Sequence, residues 1–253
     1  YDGIVGTYSG DSFDVTLLSL KVMEEDGFDN NEVDEDSDLY AIYATYNGIE
    51  NHTIDGYVFL ERMGDANDDN DELYTIGARA AGTFGSFDYE LEIATQSGDD
   101  GSSSGEDYKG LAINSVLGYT FDSNMQPRVW VGFTMFTGDD EDNGFIRNHS
   151  DWEYSEFLGD DGDISNVVIL RGGVSANVTE KIALSAVVSS FEFEEEDDSD
   201  DLYNGVYHLH NDEGDDLGLE IGLYATYQYS EDVAIEVGAA QFLNGDVIKD
   251  THE

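Results

Sequence analysis

Every second connection in this chain is long and acidic, and the connections between them are tight turns. Period-two alternation of apolar and polar residues marks strands near 2–8, 12–22, 39–47, 52–62, 72–84, 86–97, 109–121, 127–138, 165–178, 181–193, 216–229 and 232–243. Helical periodicity wins in no window. The short joints read SGD, GIEN, GS, DSNMQ, TE and SED. The long ones read EEDGFDNNEVDEDSD, GDANDDND and GDDGSSSGED, followed by residues 139–164 and 194–215. In an antiparallel up-and-down meander, alternate connections leave from opposite ends. The pattern therefore predicts one rim of short turns and one of long acidic loops, as in transmembrane β-barrels. Greek-key crossings of a sandwich give no reason for it.

Alternation divides each strand into two faces. In FDYELEIA, Phe87, Tyr89, Leu91 and Ile93 oppose Asp88, Glu90 and Glu92. In LGLEIGLYATYQY, Leu217, Leu219, Ile221 and Leu223 oppose Glu220 and Tyr224. Two environments satisfy this pattern. A soluble sandwich buries the apolar face against a second sheet, whereas a membrane barrel turns it to lipid and leaves the other face as a wet lumen. Tyr119, Phe121, Tyr227, Tyr229 and Phe242 fall near strand ends, where an aromatic girdle would lie, although strand propensity also enriches aromatics.

Composition removes several classes of function. The chain carries 58 Asp and Glu against 9 Lys and Arg, a formal charge of -49 over 253 residues, which repels nucleic acid. With 40% hydrophobic and 12% aromatic residues it is not an acidic disordered tail. Absence of cysteine rules out disulfides, thiolate metal sites and cysteine nucleophiles. No apolar run is long enough for a spanning helix, but spanning strands need only about 9–11 residues. Roughly two thirds of the acids fall in the long connections by this division of the chain, so most of the charge is a solvated rim.

Several segments, taken in order, resemble the later part of the alginate export family of outer-membrane porins. They are DLYAIYATYNGIENHTIDGYVFLER, ELYTIGARAAGTFGSFDYELEIATQSGD, LGYTFDSNMQPRVWVGFTMFTGDD, DLYN at 201–204, and the final hairpin through AIEVGAAQFLNGDVIKD. The resemblance covers the chain from about residue 38 onward. It implies a large antiparallel barrel carrying anionic polysaccharide or smaller anions through a lumen rich in Arg and Lys. Arg79, Arg128 and Arg171 fall where the family places lumen arginines. Family barrels have more strands than these twelve, and the chain stops at DVIKDTHE without a terminal aromatic strand. The expectation is a single all-β barrel domain over 1–253 with about twelve strands, either standing alone or forming a portion of a larger barrel.

Asp88, Glu90, Glu92, Glu220 and Glu236 would share that lumen, and a ring of carboxylates favours cations. The expected function is passive passage of ions or small polar or saccharide solutes through the outer membrane, cation-preferring or weakly selective, with no catalysis and no required cofactor. The alternatives are a secreted calcium-binding β-sandwich or adhesin module, and a barrel serving as sheath or scaffold for a partner. Two loops offer weak calcium sets: Asp65, Asn67, Asp69 and Asp71, with Asn70 where a turn glycine belongs, and Asp139, Glu141 and Asn143, with Ser150 where the closing glutamate belongs. His208 and His210 with Asp212 form a further weak metal set. The heavy acid enrichment also fits a surface adapted to high salt.

Overall fold

The computed structural model describes residues 2–23, 37–64, 70–99, 107–138, 144–147, 154–158, 164–195 and 214–247. Among them lie twelve strands: β1 (Asp2–Ser9), β2 (Phe13–Met23), β3 (Ser37–Ile49), β4 (His52–Gly64), β5 (Asn70–Phe84), β6 (Phe87–Asp99), β7 (Asp107–Thr120), β8 (Arg128–Phe136), β9 (Val167–Thr179), β10 (Ile182–Phe193), β11 (Asp216–Gln228) and β12 (Ala234–Asn244). Each pairs antiparallel with its neighbours in chain order, forming one up-and-down sheet. β1 and β12 are its two edges. β3, β5 and β7 each begin two residues earlier than the alternation indicated, extending the ladder into the long connections. The tight turns sit where expected; Gly85, with φ of 61°, supplies the left-handed residue that the two-residue joint between β5 and β6 requires.

Burial runs opposite to that of a soluble protein. On β6, Ile93 is 49% exposed while its polar-face neighbour Gln96 is 6% exposed. On β8, Val131 is exposed and Thr134 fully buried. On β11, Ile221 and Leu223 are exposed and Glu220 is buried. Among the described residues nothing packs on the apolar face, whereas a sandwich would bury it under a second sheet. The polar face is covered instead by the connection between β8 and β9, whose described residues lie across β6 to β11.

That cover builds the core. Phe145, Leu158 and Ile164 of the connection pack on Ala94, Ala112, Phe136, Val167, Ile169 and Phe191 at the long-connection end of the polar face. The strands thus switch character along one face: apolar under the connection, polar beyond it.

Two sequence expectations change here. Leu217 was placed with Leu219 and Ile221, but it is fully buried on the opposite face. Phe191 pairs Gly218 and Glu192 pairs Asp216, so Leu217 is the extra residue of a β-bulge, and Gly218, with φ of 139°, takes the backbone conformation that permits it. Phe242 does not join a girdle on the apolar face. It stands opposite Glu220, on the polar face, and its ring packs against Phe157 of the connection and Phe191. Tyr119, Phe121, Tyr227 and Tyr229 fall at the short-turn end in two groups, Tyr119 edge-on to Phe87 and Phe121, and Tyr227 edge-on to Tyr229.

Candidate functional site: the polar face and its covering segment

Strand register lines up one polar row across β3 to β8. Thr45 faces Asp55, Asp55 faces Arg79, Arg79 faces Glu92, Glu92 faces Asn114, and Asn114 faces Thr134. Side chains join the row. Thr45 Oγ1 donates to Asp55 Oδ1 at 2.7 Å, and Arg79 donates to Asp55 at 3.1 Å and to Glu90 at 2.9 Å. Tyr57 donates its hydroxyl to Glu92 at 2.6 Å. Thr134 donates to Asn114 at 2.9 Å.

Arg171 on β9 closes the row. Its Nη2 donates to Asn114 and Thr134, both at 3.2 Å, and its guanidinium lies 4.7 Å from the Tyr154 ring and 5.9 Å from Trp130. It is 9% exposed, and its Nε has no hydrogen-bond acceptor. Its charge is met by ring faces and dipoles; no carboxylate lies within ion-pair distance of it among the described residues.

Arg128 forms a separate pair. Nε donates to Asp88 Oδ2 at 2.9 Å and Nη2 donates to Oδ1, a fork-on-fork contact that reaches over β7. Gly118 faces Asp88 in register and lies beneath the pair, and a methyl group there would collide with both the carboxylate and the guanidinium. Gly118→Ala is expected to split this pair and cost about 1–2 kcal/mol of unfolding free energy, measured by denaturant titration in micelles. An unchanged midpoint would show that the pair contributes nothing.

The covering segment is anchored at three points. Gln96 on β6 uses its carboxamide like a strand backbone: Ile146 N–H donates to its Oε1 at 2.7 Å and its Nε2 donates to Ile146 O at 2.8 Å. Glu220 on β11 accepts from Ser155 Oγ at 2.5 Å and Glu156 N–H at 3.1 Å, and Tyr224 donates to Glu156 at 3.0 Å. Between these anchors the Tyr154 ring is flanked by two guanidinia, Arg147 at 5.0 Å and Arg171 at 4.7 Å. Burial pushes the Tyr154 hydroxyl above its ordinary pKa, with the two arginines pulling the other way. Gly110 completes the seat: a methyl group there would lie 2.8 Å from Phe145 Cα.

Of the residues singled out by sequence, Arg79, Arg128, Arg171, Glu90, Glu92, Glu220 and Glu236 all lie on the polar face. Arg79 and Glu92 stand in the register row, Glu90 is tied to it through Arg79, and Arg171 through Asn114 and Thr134. Glu220 serves the segment, and Glu236 accepts from Thr226 at 3.1 Å. Sequence reasoning missed Asp55, Gln96, Asn114, Arg147 and Tyr154. The run FIR at 145–147 and YSEFL at 154–158, apolar islands in an acidic connection, was the signal available. Asp65, Asn67, Asp69, Asp139, Glu141, Asn143, His208, His210 and Asp212 lie outside the described residues. Asp71 lies in β5 and accepts from the Tyr108 hydroxyl at 3.3 Å. Among the described residues no group of three or more acids or histidines is placed to hold a metal ion.

A row of paired charges on the covered face of an open meander, with bare aliphatics opposite, is barrel-wall geometry. Comparison with known families decides which wall: the sequence model described as alginate export matches residues 1–253. The chain belongs to the alginate export family. The match reaches the N-terminal hairpin, which the resemblance from residue 38 onward did not cover. No curated protein matches the sequence.

Solved structures give the same fold. OccK11 (OpdR) of Pseudomonas aeruginosa superposes with a TM-score of 0.63 at 12% identity, covering 98% of this chain and 65% of that one. OccK8 (OprE) of the same organism gives 0.56 at 14%, covering 93% and 65%. The outer membrane protein OprD from Pseudomonas aeruginosa gives 0.57 at 12%, covering 94% and 62%. This alginate export family chain thus spans a little under two thirds of those chains, with its sheet open between β1 and β12 among the described residues. Family and fold place it in an outer membrane of the Gram-negative type.

Proposed function

We propose that this chain forms wall and constriction of an outer-membrane channel through which ions and small polar solutes, saccharides included, pass without catalysis. The observation that carries the reading is the reversed burial: exposed Ile93, Val131 and Leu223 on one face suit lipid, and a wet, charge-bearing row on the other suits a lumen. The segment between β8 and β9 narrows that lumen from inside. The long acidic connections face the cell exterior and the short turns the periplasm, following the usual loop asymmetry of such barrels.

The lumen prefers cations. Arg79 is matched by Asp55 and Glu90, and Arg128 by Asp88, while Glu92, Glu156, Glu220 and Glu236 are held by hydroxyls and backbone N–H groups, with no Lys or Arg in ion-pair contact among the described residues. This departs from the anion-carrying lumen that the family resemblance implies, because Arg79 and Arg128 are spent on neighbouring acids and Arg171 is packed between ring faces. The full chain in a planar bilayer should give discrete conductance steps and, under a potassium chloride gradient, a cation-selective reversal potential. An anion-selective potential overturns the preference, and absence of any step overturns the channel.

A further inference from the structure

A cleft of about 420 Å³ opens on the polar face between β3 to β8 and the covering segment, and its walls are aromatic. Tyr43, Tyr57 and Phe59 line one side, and Phe136 and Tyr154 the other. On the second side a cation is already in place. The guanidinium of Arg147 lies 4.6 Å from the Phe136 ring centroid and 5.0 Å from that of Tyr154.

The first side has the same chemistry without the cation. Tyr43 and Tyr57 stack with centroids 5.7 Å apart and planes within 4°, and Phe59 leans on Tyr57 at 5.1 Å. Tyr57 lies flat across Gly77, where any side chain would collide with the ring, and this brings its hydroxyl over β5 to Glu92 on β6. Glu92 accepts that hydroxyl bond and among the described residues pairs with no cation; Arg79, directly opposite in register, turns its donors to Asp55 and Glu90. Glu61 lines the same cleft. Ring faces backed by a partly buried carboxylate are a way to recognise organic ammonium ions.

We propose that this cleft is a binding site for small organic cations, ammonium-bearing solutes whose charged head sits on Tyr43, Tyr57 and Phe59 against Glu92. The proposal deepens the cation-preferring channel reading by naming a solute class for one place on its wall. Arg147 opposite sets the polarity of the cleft and keeps a second cation to the Glu92 side.

The test is calorimetric titration of the full detergent-solubilised chain with choline chloride and with 3,3-dimethylbutan-1-ol, its neutral isostere. Choline should bind saturably and the isostere on the order of tenfold more weakly. Glu92→Gln, which keeps an oxygen acceptor for Tyr57, should weaken choline binding by on the order of tenfold, and so should Tyr57→Leu, while Glu180→Gln in the β9–β10 turn should leave it unchanged. Near-ultraviolet circular dichroism confirms that each variant is folded. Absence of choline binding, equal binding of the isostere, or an unchanged Glu92→Gln variant overturns the site. Titration in micelles needs no pore, so choline binding without bilayer conductance would leave the site standing and remove the channel, and conductance without choline binding would do the reverse.

Discussion

Ile93→Arg should cost about 2–4 kcal/mol when the chain is folded into a lipid bilayer, because the charge lands midway along β6 on the apolar face. Ile93 pairs laterally with Ala78 and Ile113, so neither neighbour offers a carboxylate. At a water-exposed position of the same 49% exposure the change would be worth within about 0.5 kcal/mol. Denaturant titration in phospholipid vesicles, read by tyrosine and tryptophan fluorescence, separates the two magnitudes. A cost near zero in vesicles would mean that this face meets water.

The second large effect belongs to Arg79. Asp55 is 4% exposed; Thr45 and Tyr43 reach it with hydroxyls, and among the described residues the cation that meets it is the Arg79 guanidinium 3.1 Å away. Arg79→Leu leaves that carboxylate buried with hydroxyls alone and no cation, and the expected loss is about 3 kcal/mol. The double variant Arg79→Leu with Asp55→Leu should recover most of it, since the penalty comes from stranding the charge and not from losing the attraction. If the double variant is as unstable as the single, the row contributes through its geometry, and the stranded-charge account fails. Glu90 would retain solvent access in either case, being the more exposed partner.

The strands, their order and the two rims were legible because each rests on a local rule. Side chains alternate with period two, and hairpin joints are short, so a meander shows in one dimension what it does in three. The assignment of Arg79, Arg128 and Arg171 to the polar face follows from the same parity. Parity failed at Leu217, where one inserted residue reverses the faces; Gly218 inside an otherwise regular strand was the only mark of it. At Phe242 parity holds, since it shares the face of Glu220 and Glu236, and its aromatic character is what points the wrong way.

The covering segment was illegible for a different reason. Its contacts are long-range, such as Gln96 to Ile146 and Ser155 to Glu220, and its composition is dominated by acids that say only that it is solvated. The residues that dock, Phe145 and Tyr154 among them, are a minority set in that background. Asn114 and Gln96 are neutral amides, and nothing in a single sequence distinguishes an amide that clamps a backbone from one that faces water.

Tyr57 lies over Gly77, Trp130 over Gly173, and Tyr224 over Gly238, each pair directly opposite in register. Ring and methyl group cannot occupy the same space at any of these places, so neither position is free to drift by itself. A lineage that loses the glycine must also shorten or stand up the ring, which widens or obstructs the passage at that height while every strand stays where it was. The permeability of such a wall can therefore be inherited in coupled pairs of residues, and diverge between relatives faster than the scaffold that carries it.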